Sequence, residues 1–274
     1  MKNLSLYLVM LLLLHAGCAR EIDWPLPGNP PDLIVVDAIL TDETKAHQIT
    51  LTRPVHSLNE SPEPVTGATI LISSEDSIWS LTEDSTGSGI YTTPADFHSL
   101  TGKIYTLQIF SAGILYSAKA FMVPGVLFDE LTYVKNNNDD LYHIEWVADA
   151  FSPSEPAMWE ILIDWSLVPG YMHFDPQTCK ARLLFYTLPT LDVSEIFAPL
   201  MEKVSFPAGT IITERRYSLA PDHAAYIREL LLETNLQGSL FPTANANVAT
   251  NLSTGATGYF GVCAVTSLSL IVTQ

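Results

Sequence analysis

Basic residues are scarce in this 274-residue chain: 13 Lys and Arg stand against 30 Asp and Glu, a formal net charge of −17. That balance excludes a nucleic-acid binder, because neutralising phosphates needs a basic face. Cysteine is sparse too, with three residues and no Cys-x-x-Cys pair, which argues against thioredoxin-like redox chemistry. None of the seven histidines belongs to a His-Glu-x-x-His metalloprotease helix. Gly87-Ser88-Gly89 has the wrong spacing for a nucleophile elbow and reads as a turn. No Gly-rich loop leads into a helix to cradle a phosphate. Asn136-Asn137-Asn138-Asp139-Asp140 offers oxygen ligands but lacks the glycine and distal glutamate of a calcium loop. With 30 acids in the chain, neighbours such as Glu83-Asp84 or Asp129-Glu130 carry no weight as a glycosidase pair. The residues therefore point to no catalytic site, no metal and no cofactor, and a hydrolase is the least supported reading. The apolar fraction, 47%, argues against disorder.

Only one stretch is apolar enough to suggest a membrane. Lys2 gives a positive start, Leu4 to Leu14 is apolar except for Ser5, and Leu14-His15-Ala16-Gly17-Cys18 follows. The run is too short for a spanning helix, which needs about 20 apolar residues, and fits a signal peptide over residues 1–17. A cysteine directly after Ala-Gly resembles a bacterial lipobox, with Cys18 lipidated as the mature N-terminus; His15 stands where that pattern prefers an aliphatic residue. Removing the leader takes away Lys2 and no acid, leaving 257 residues with a formal charge of −18. Residues 18–31 hold four prolines and no helical or strand period, so they read as a tether behind a lipid anchor.

Residues 32–124 read as short strands separated by turn signals. Leu33 to Ile39, His47 to Arg53, Ala68 to Ser73, Ile78 to Leu81, Gly89 to Thr92, Lys103 to Phe110 and Gly113 to Phe121 follow one another, with Ser111-Ala112-Gly113 as a hairpin turn. Seven strands in that length fit an immunoglobulin-like or prealbumin-like β-sandwich. Pro124-Gly125 marks a boundary, and residues 125–274 read as a second β-rich domain with one helix near 221–234. Tyr142, Ile144 and Trp146 share one strand face; Trp159, Ile161, Ile163, Trp165 and Leu167 share another. Pro221 suits a first helical position, Asp222 suits the positive end of the helix dipole, and Tyr226, Ile227, Leu230, Leu231 and Thr234 recur at helical spacing.

Tyr171, His173 and Phe174 follow the turn Pro169-Gly170, and Phe241 opens a long Asn-rich loop. Aromatic residues on loops suit contact with a partner or a ligand as well as local packing. Cys179 and Cys263 would sit in an exported compartment, where they either pair as a disulfide or remain buried thiols, as the apolar run around Cys263 also allows.

Several blocks, taken in order, resemble the Bacteroidota outer-membrane lipoprotein family known as domain of unknown function 4249. They are the cysteine and acidic, Pro-rich tether leading into Leu33 to Asp42; Ile49 to Arg53; Val65 to Ile70; Gly89-Ile90-Tyr91; Tyr105-Thr106-Leu107; and Met122-Val123-Pro124. Tyr217-Ser218-Leu219, Gly238 to Phe241, Asn247 to Asn251 and Gly258 to Gly261 continue the series. Ala220 and Met158-Trp159 depart from the pattern, at the helix cap and in a middle strand. The resemblance implies a non-enzymatic lipoprotein anchored in the outer membrane, on a face it does not specify. It further implies an accessory partnership with a TonB-dependent receptor in nutrient uptake or envelope assembly. It carries no catalytic residues. A glycan- or peptide-capturing module using the loop aromatics is the alternative.

Overall fold

A computed structural model describes residues 33–274 except 56–59, 76, 150, 190–203 and 236–247. The leader, Cys18, the tether and Phe241 lie outside the described residues. Among those described, the protein is mainly β, with one α-helix, and Asp32–Gln274 forms one compact unit. No helix among them is long and apolar enough to cross a membrane.

The first eight strands are β1 (Ile34–Thr41), β2 (Gln48–Thr52), β3 (Thr69–Ser74), β4 (Ser77–Ser80), β5 (Thr82–Glu83), β6 (Ile90–Thr92), β7 (Ile104–Ser111) and β8 (Ile114–Phe121). Next come β9 (Thr132–Lys135), β10 (Leu141–Trp146), β11 (Ala157–Asp164), β12 (Lys180–Thr187), β13 (Phe206–Pro207) and β14 (Ile211–Ser218). Helix α1 (Pro221–Asn235) and the long strand β15 (Ala256–Ile271) complete the chain. Eight strands form one sheet in the order β12-β11-β14-β15-β1-β2-β6-β5. Two smaller sheets, β4-β3-β7-β8 and β13-β10-β9, pack against opposite halves of it.

The centre of the large sheet is the parallel pairing of β1 with β15, in register from Ile34 opposite Ala256 to Thr41 opposite Cys263. Side chains alternate across β15, so one face of this strand serves two cores. Ala256, Phe260, Val262 and Ala264 enter the first core with Ile34, Val36, Ala38 and Leu40 of β1 and with Ile70, Leu107 and Ile109 of the four-stranded sheet. Further along the same face, Leu270 joins the second core with Trp159, Ile161, Ile163, Ile212 and Tyr142. Pro124 therefore marks a change of core rather than an end of the sheet. The strands expected between residues 32 and 124 are not a self-contained module, because β15 continues their larger sheet.

On the other face of β15 lies α1. Ala224 and Ile227 pack there with Tyr217, Leu219 and Cys263. The helix begins at Pro221 as its N-terminal signals predict, with the Ala224 N–H donating to the Ala220 carbonyl at 2.9 Å. Its buried stripe differs from the predicted one: His223 is buried, whereas Leu230 is 40% exposed. Gly261 makes this possible, since a Cβ at that position would lie 2.5 Å from His223 Cε1. Tyr259 stacks on both His223 and Tyr226, with ring centroids 4.6 and 4.7 Å apart.

Two local features of the strands are informative. The β7–β8 hairpin turns through Ala112 and Gly113, both at positive φ (51° and 81°), the geometry a two-residue turn needs to follow strand twist. In β10 a register shift between Ile144 and Trp146 breaks the expected alternation. Tyr142 and Ile144 stay buried, but Trp146 swings out to 42% exposure and Val147 turns in.

Gly258 tests the β1–β15 seam. It holds φ +92°, and a Cβ there would run into the Val36 carbonyl. Gly113 has a similar φ but open space around it. Gly113→Ala should cost about 1–2 kcal/mol from backbone strain alone, and Gly258→Ala about 3 kcal/mol or more, since β1 must also move. Urea unfolding of both variants checks this; equal losses would mean that the close approach contributes nothing.

Candidate binding surface

Strands β11 and β12 deliver the loop that carries three of the predicted contact residues. The loop is closed at its neck, where the Trp165 N–H donates to the Cys179 carbonyl at 3.0 Å. Asp164 accepts from the Ser166 N–H and hydroxyl at 2.9 and 2.6 Å. Three successive turns follow, in which the N–H groups of Val168, Tyr171 and Phe174 donate to the carbonyls of Trp165, Val168 and Tyr171 at 3.1, 2.9 and 3.0 Å. Asp175 then caps a short 3-10 turn, accepting from the Gln177 N–H at 3.0 Å. Val168 is the inward anchor, buried against Gly209.

This ladder of local bonds presents Leu167, Met172 and Phe174 to solvent, at 72%, 66% and 50% exposure. His173 lies over Phe174 with ring centroids 4.1 Å apart, and Tyr171 stands 6.2 Å from Phe174. The structure thus brings Tyr171, His173 and Phe174 into one exposed cluster. Phe241, expected beside them, lies outside the described residues. An apolar knob built on a hydrogen-bonded loop loses little entropy when it is covered, which suits it to a partner.

The two cysteines do not meet. Both are free thiols and both are buried. Cys179 precedes β12 at the sheet edge, three strand spacings from β15, and is level with the far end of that strand, about eight residues from Cys263. At roughly 4.8 Å per strand and 3.3 Å per residue, that separation is far beyond disulfide reach. Cys263 instead touches His223, with Sγ 3.6 Å from Nδ1. The pair has the composition of a nucleophile and base but not the chemistry. Burial pushes the thiol up to about 12 and pulls the imidazole down to about 4, so both are neutral at pH 7. A thiolate nucleophile needs the opposite shifts and solvent access. Among the described residues no group of three or more His, Cys, Asp or Glu side chains is placed to hold a metal ion.

Charge on the helix-bearing face of the large sheet is organised around Glu160. Its carboxylate accepts from Arg182 Nε at 2.6 Å, Arg215 Nη1 at 2.7 Å and the Tyr217 hydroxyl at 2.9 Å. Arg215 also reaches Glu43 on the β1–β2 connection at 2.6 Å, and Lys45 meets the same carboxylate. Burial would raise the Glu160 carboxyl, but the bonds from Arg182 and Tyr217 and the Arg215 charge outweigh it and hold it below the usual range. Every charge in this network has a partner, which marks it as a joint between the β1–β2 connection and strands β11, β12 and β14.

Sequence reasoning missed the charged residues on the core-facing side of β14. Glu214 and Arg216 alternate there with the buried Ile212 and Ser218, so reading the strand at period two would have flagged them. Glu214 is fully buried; Oε1 accepts from the Leu131 N–H at 2.9 Å and Oε2 has no partner. Burial, helped by the Glu130 charge, raises this carboxyl from 4.5 to about 7.

The mainly β architecture, two cores on one shared sheet, defines the class of protein. The chain belongs to the family described as "Domain of unknown function (DUF4249)", whose model matches residues 19–175. That match takes in β1 to β11 and the aromatic cluster, and ends at Asp175. No curated protein matches the chain.

Glu214 gives a pH prediction with a definite sign. Between pH 4.5 and about 7 the folded chain keeps a proton that the unfolded chain has released, so stability falls as pH rises through that window. The loss approaches about 3 kcal/mol at 1.36 kcal/mol per pH unit. Glu214→Gln, which keeps an acceptor for Leu131, should remove one proton's worth of that slope and stabilise the protein at pH 8. Denaturant midpoints at pH 5 and pH 8 that move in parallel for both proteins would contradict this.

Proposed function

We propose that this protein is a non-enzymatic lipoprotein, tethered to the outer membrane through Cys18, that acts as an accessory partner of a TonB-dependent receptor in nutrient uptake or envelope assembly. The observation that carries the reading is the exposed, hydrogen-bonded knob of Leu167, Met172 and Phe174 with the His173 ring tilted against Phe174. Large apolar side chains held out of a strongly acidic surface cost solubility unless they are covered in use. The lipid anchor and the receptor come from the resemblance of the leader, the tether and the ordered blocks. A non-catalytic role is supported by the neutral, enclosed state of the Cys263–His223 contact. Capture of a glycan or peptide is the second reading, favoured by the ring surface that His173 and Phe174 share.

Mild detergent extraction and affinity recovery of the lipidated protein should bring down an outer-membrane receptor. The double variant Met172→Ala/Phe174→Ala should lose it while melting at an unchanged temperature. Recovery of the wild-type protein alone, under conditions that preserve other envelope complexes, defeats the receptor reading; retention on glycan or peptide arrays would then favour the second. Cys18→Ala should move the protein from the membrane fraction to the soluble fraction.

A further inference from the structure

The second core is open at one side, beside the β10 bulge. A groove of about 230 Å³ lies there, walled by Phe128, Trp146, Phe151 and Trp159 with Arg216 among its lining residues. Phe128 meets Trp159 edge-on at 4.8 Å. Arg216 is only 4% exposed. Its Nη1 donates to Ser218 Oγ at 2.7 Å, its Nη2 to the Glu155 backbone carbonyl at 3.0 Å, and its guanidinium sits 5.6 Å from the Trp159 ring centroid.

All these partners are neutral. Among the described residues no carboxylate forms an ion pair with Arg216, in contrast to Arg182 and Arg215, which share Glu160. The exposed Glu155 carboxylate acts on Arg216 through space only; a buried cation without a directly bonded counter-ion costs several kcal/mol, and the ring and two neutral acceptors recover only part of that. A ligand carboxylate would supply the missing charge in a setting where attraction is stronger than in water. A simple anion fits poorly, however, because Asp129, Asp149 and Glu155 also line the groove and are exposed. One buried positive charge with acids around it is the complement of a dipolar ligand.

We propose that this groove binds a zwitterion, an amino acid or short peptide with an apolar side chain, its carboxylate on Arg216 and its ammonium among Asp129, Asp149 and Glu155. The aromatic walls take the side chain. The volume is below the ~300–1,000 Å³ of drug-sized pockets, which suits one residue and excludes an oligosaccharide. The groove shares no residue with the β11–β12 knob, so it stands or falls independently of the receptor partnership.

Calorimetric titration of the detergent-solubilised protein decides the matter, using phenylalanine, phenylalanine amide, N-acetylphenylalanine and the dipeptide alanyl-phenylalanine. Phenylalanine or the dipeptide should bind saturably, the tighter of the two identifying a free amino acid or a peptide end as the source. Loss of either ligand charge, in the amide or the acetyl derivative, should weaken binding about tenfold to a hundredfold. Arg216→Gln should abolish the difference between phenylalanine and its amide. Trp146→Ala, a surface change that spares the core, should weaken every probe while the thermal melt stays in place. Absence of saturable binding into the millimolar range, or equal affinity for phenylalanine and either derivative, overturns the assignment.

Discussion

The parallel pairing of β1 with β15 is the contact on which the rest of the structure depends. Fewer than ten residues of β1 meet a partner more than two hundred residues away, and no hairpin can supply such a pairing. Once made, it places one face of β15 at the floor of both cores and leaves the other face for α1. The closeness of the seam explains its composition. Gly258 lets the Val36 carbonyl approach, and Gly261 opens the patch on which His223 lies. Asn251 locks the entry to β15, donating to the carbonyls of Lys119 and Phe260 at 3.0 and 2.8 Å and accepting from the Phe260 N–H at 3.1 Å. Gly258, Gly261 and Asn251 belong to blocks expected from the resemblance, but they lie beyond residues 19–175, which the family model matches. Tyr91, from another block, donates to the Val65 carbonyl at 2.9 Å and accepts from the Ala68 N–H at 3.0 Å. Those residues therefore act as structural joints.

Local chemistry was legible where it is self-contained. Pro221, Asp222 and the apolar spacing located α1 to within a residue, and Ala112-Gly113 located a hairpin turn. Tyr171, His173 and Phe174 were readable as an exposed group because Pro169-Gly170 forces a loop between two strands. What escaped depends on long-range partners. No local signal reveals that β1 pairs with β15, so the chain looked divisible at Pro124. His223 stood outside the expected apolar stripe because its burial depends on Gly261, nearly forty residues further on. Trp146 looked inward because a bulge leaves no trace in an alternating pattern. Glu214 and Arg216 were overlooked because charge is read as surface by default, although their parity with Ile212 placed them inside.

Buried polar groups separate into two kinds by how well they are satisfied. The Glu43–Arg215–Glu160–Arg182 chain has every charge opposed, so it links three strands and the β1–β2 connection without leaving an uncompensated ion. Glu214 and Arg216, on the opposite face of the same sheet, leave an oxygen unpartnered and a cation that no carboxylate among the described residues bonds directly, Glu155 acting on it only through space. Proton uptake relieves the first, because a neutral carboxyl pays little for an apolar setting. No such escape is open to a guanidinium, which stays charged at any physiological pH.

The two proposals place different demands on the two exposed apolar surfaces. The β11–β12 knob is convex and carries no charged side chain at its apex of Leu167, Met172 and Phe174; its backbone bonds are satisfied within the loop. Such a surface gains from burial of area alone, and only an extended partner can cover it. The groove beside Trp146 is concave, small and charged at its base, and area contributes less there than charge matching. A wide partner cannot reach Arg216 past the aromatic walls, and a single small molecule cannot cover the knob. The two surfaces share no residue, so the two proposals do not compete: a large partner on the knob would leave the groove open to a small ligand.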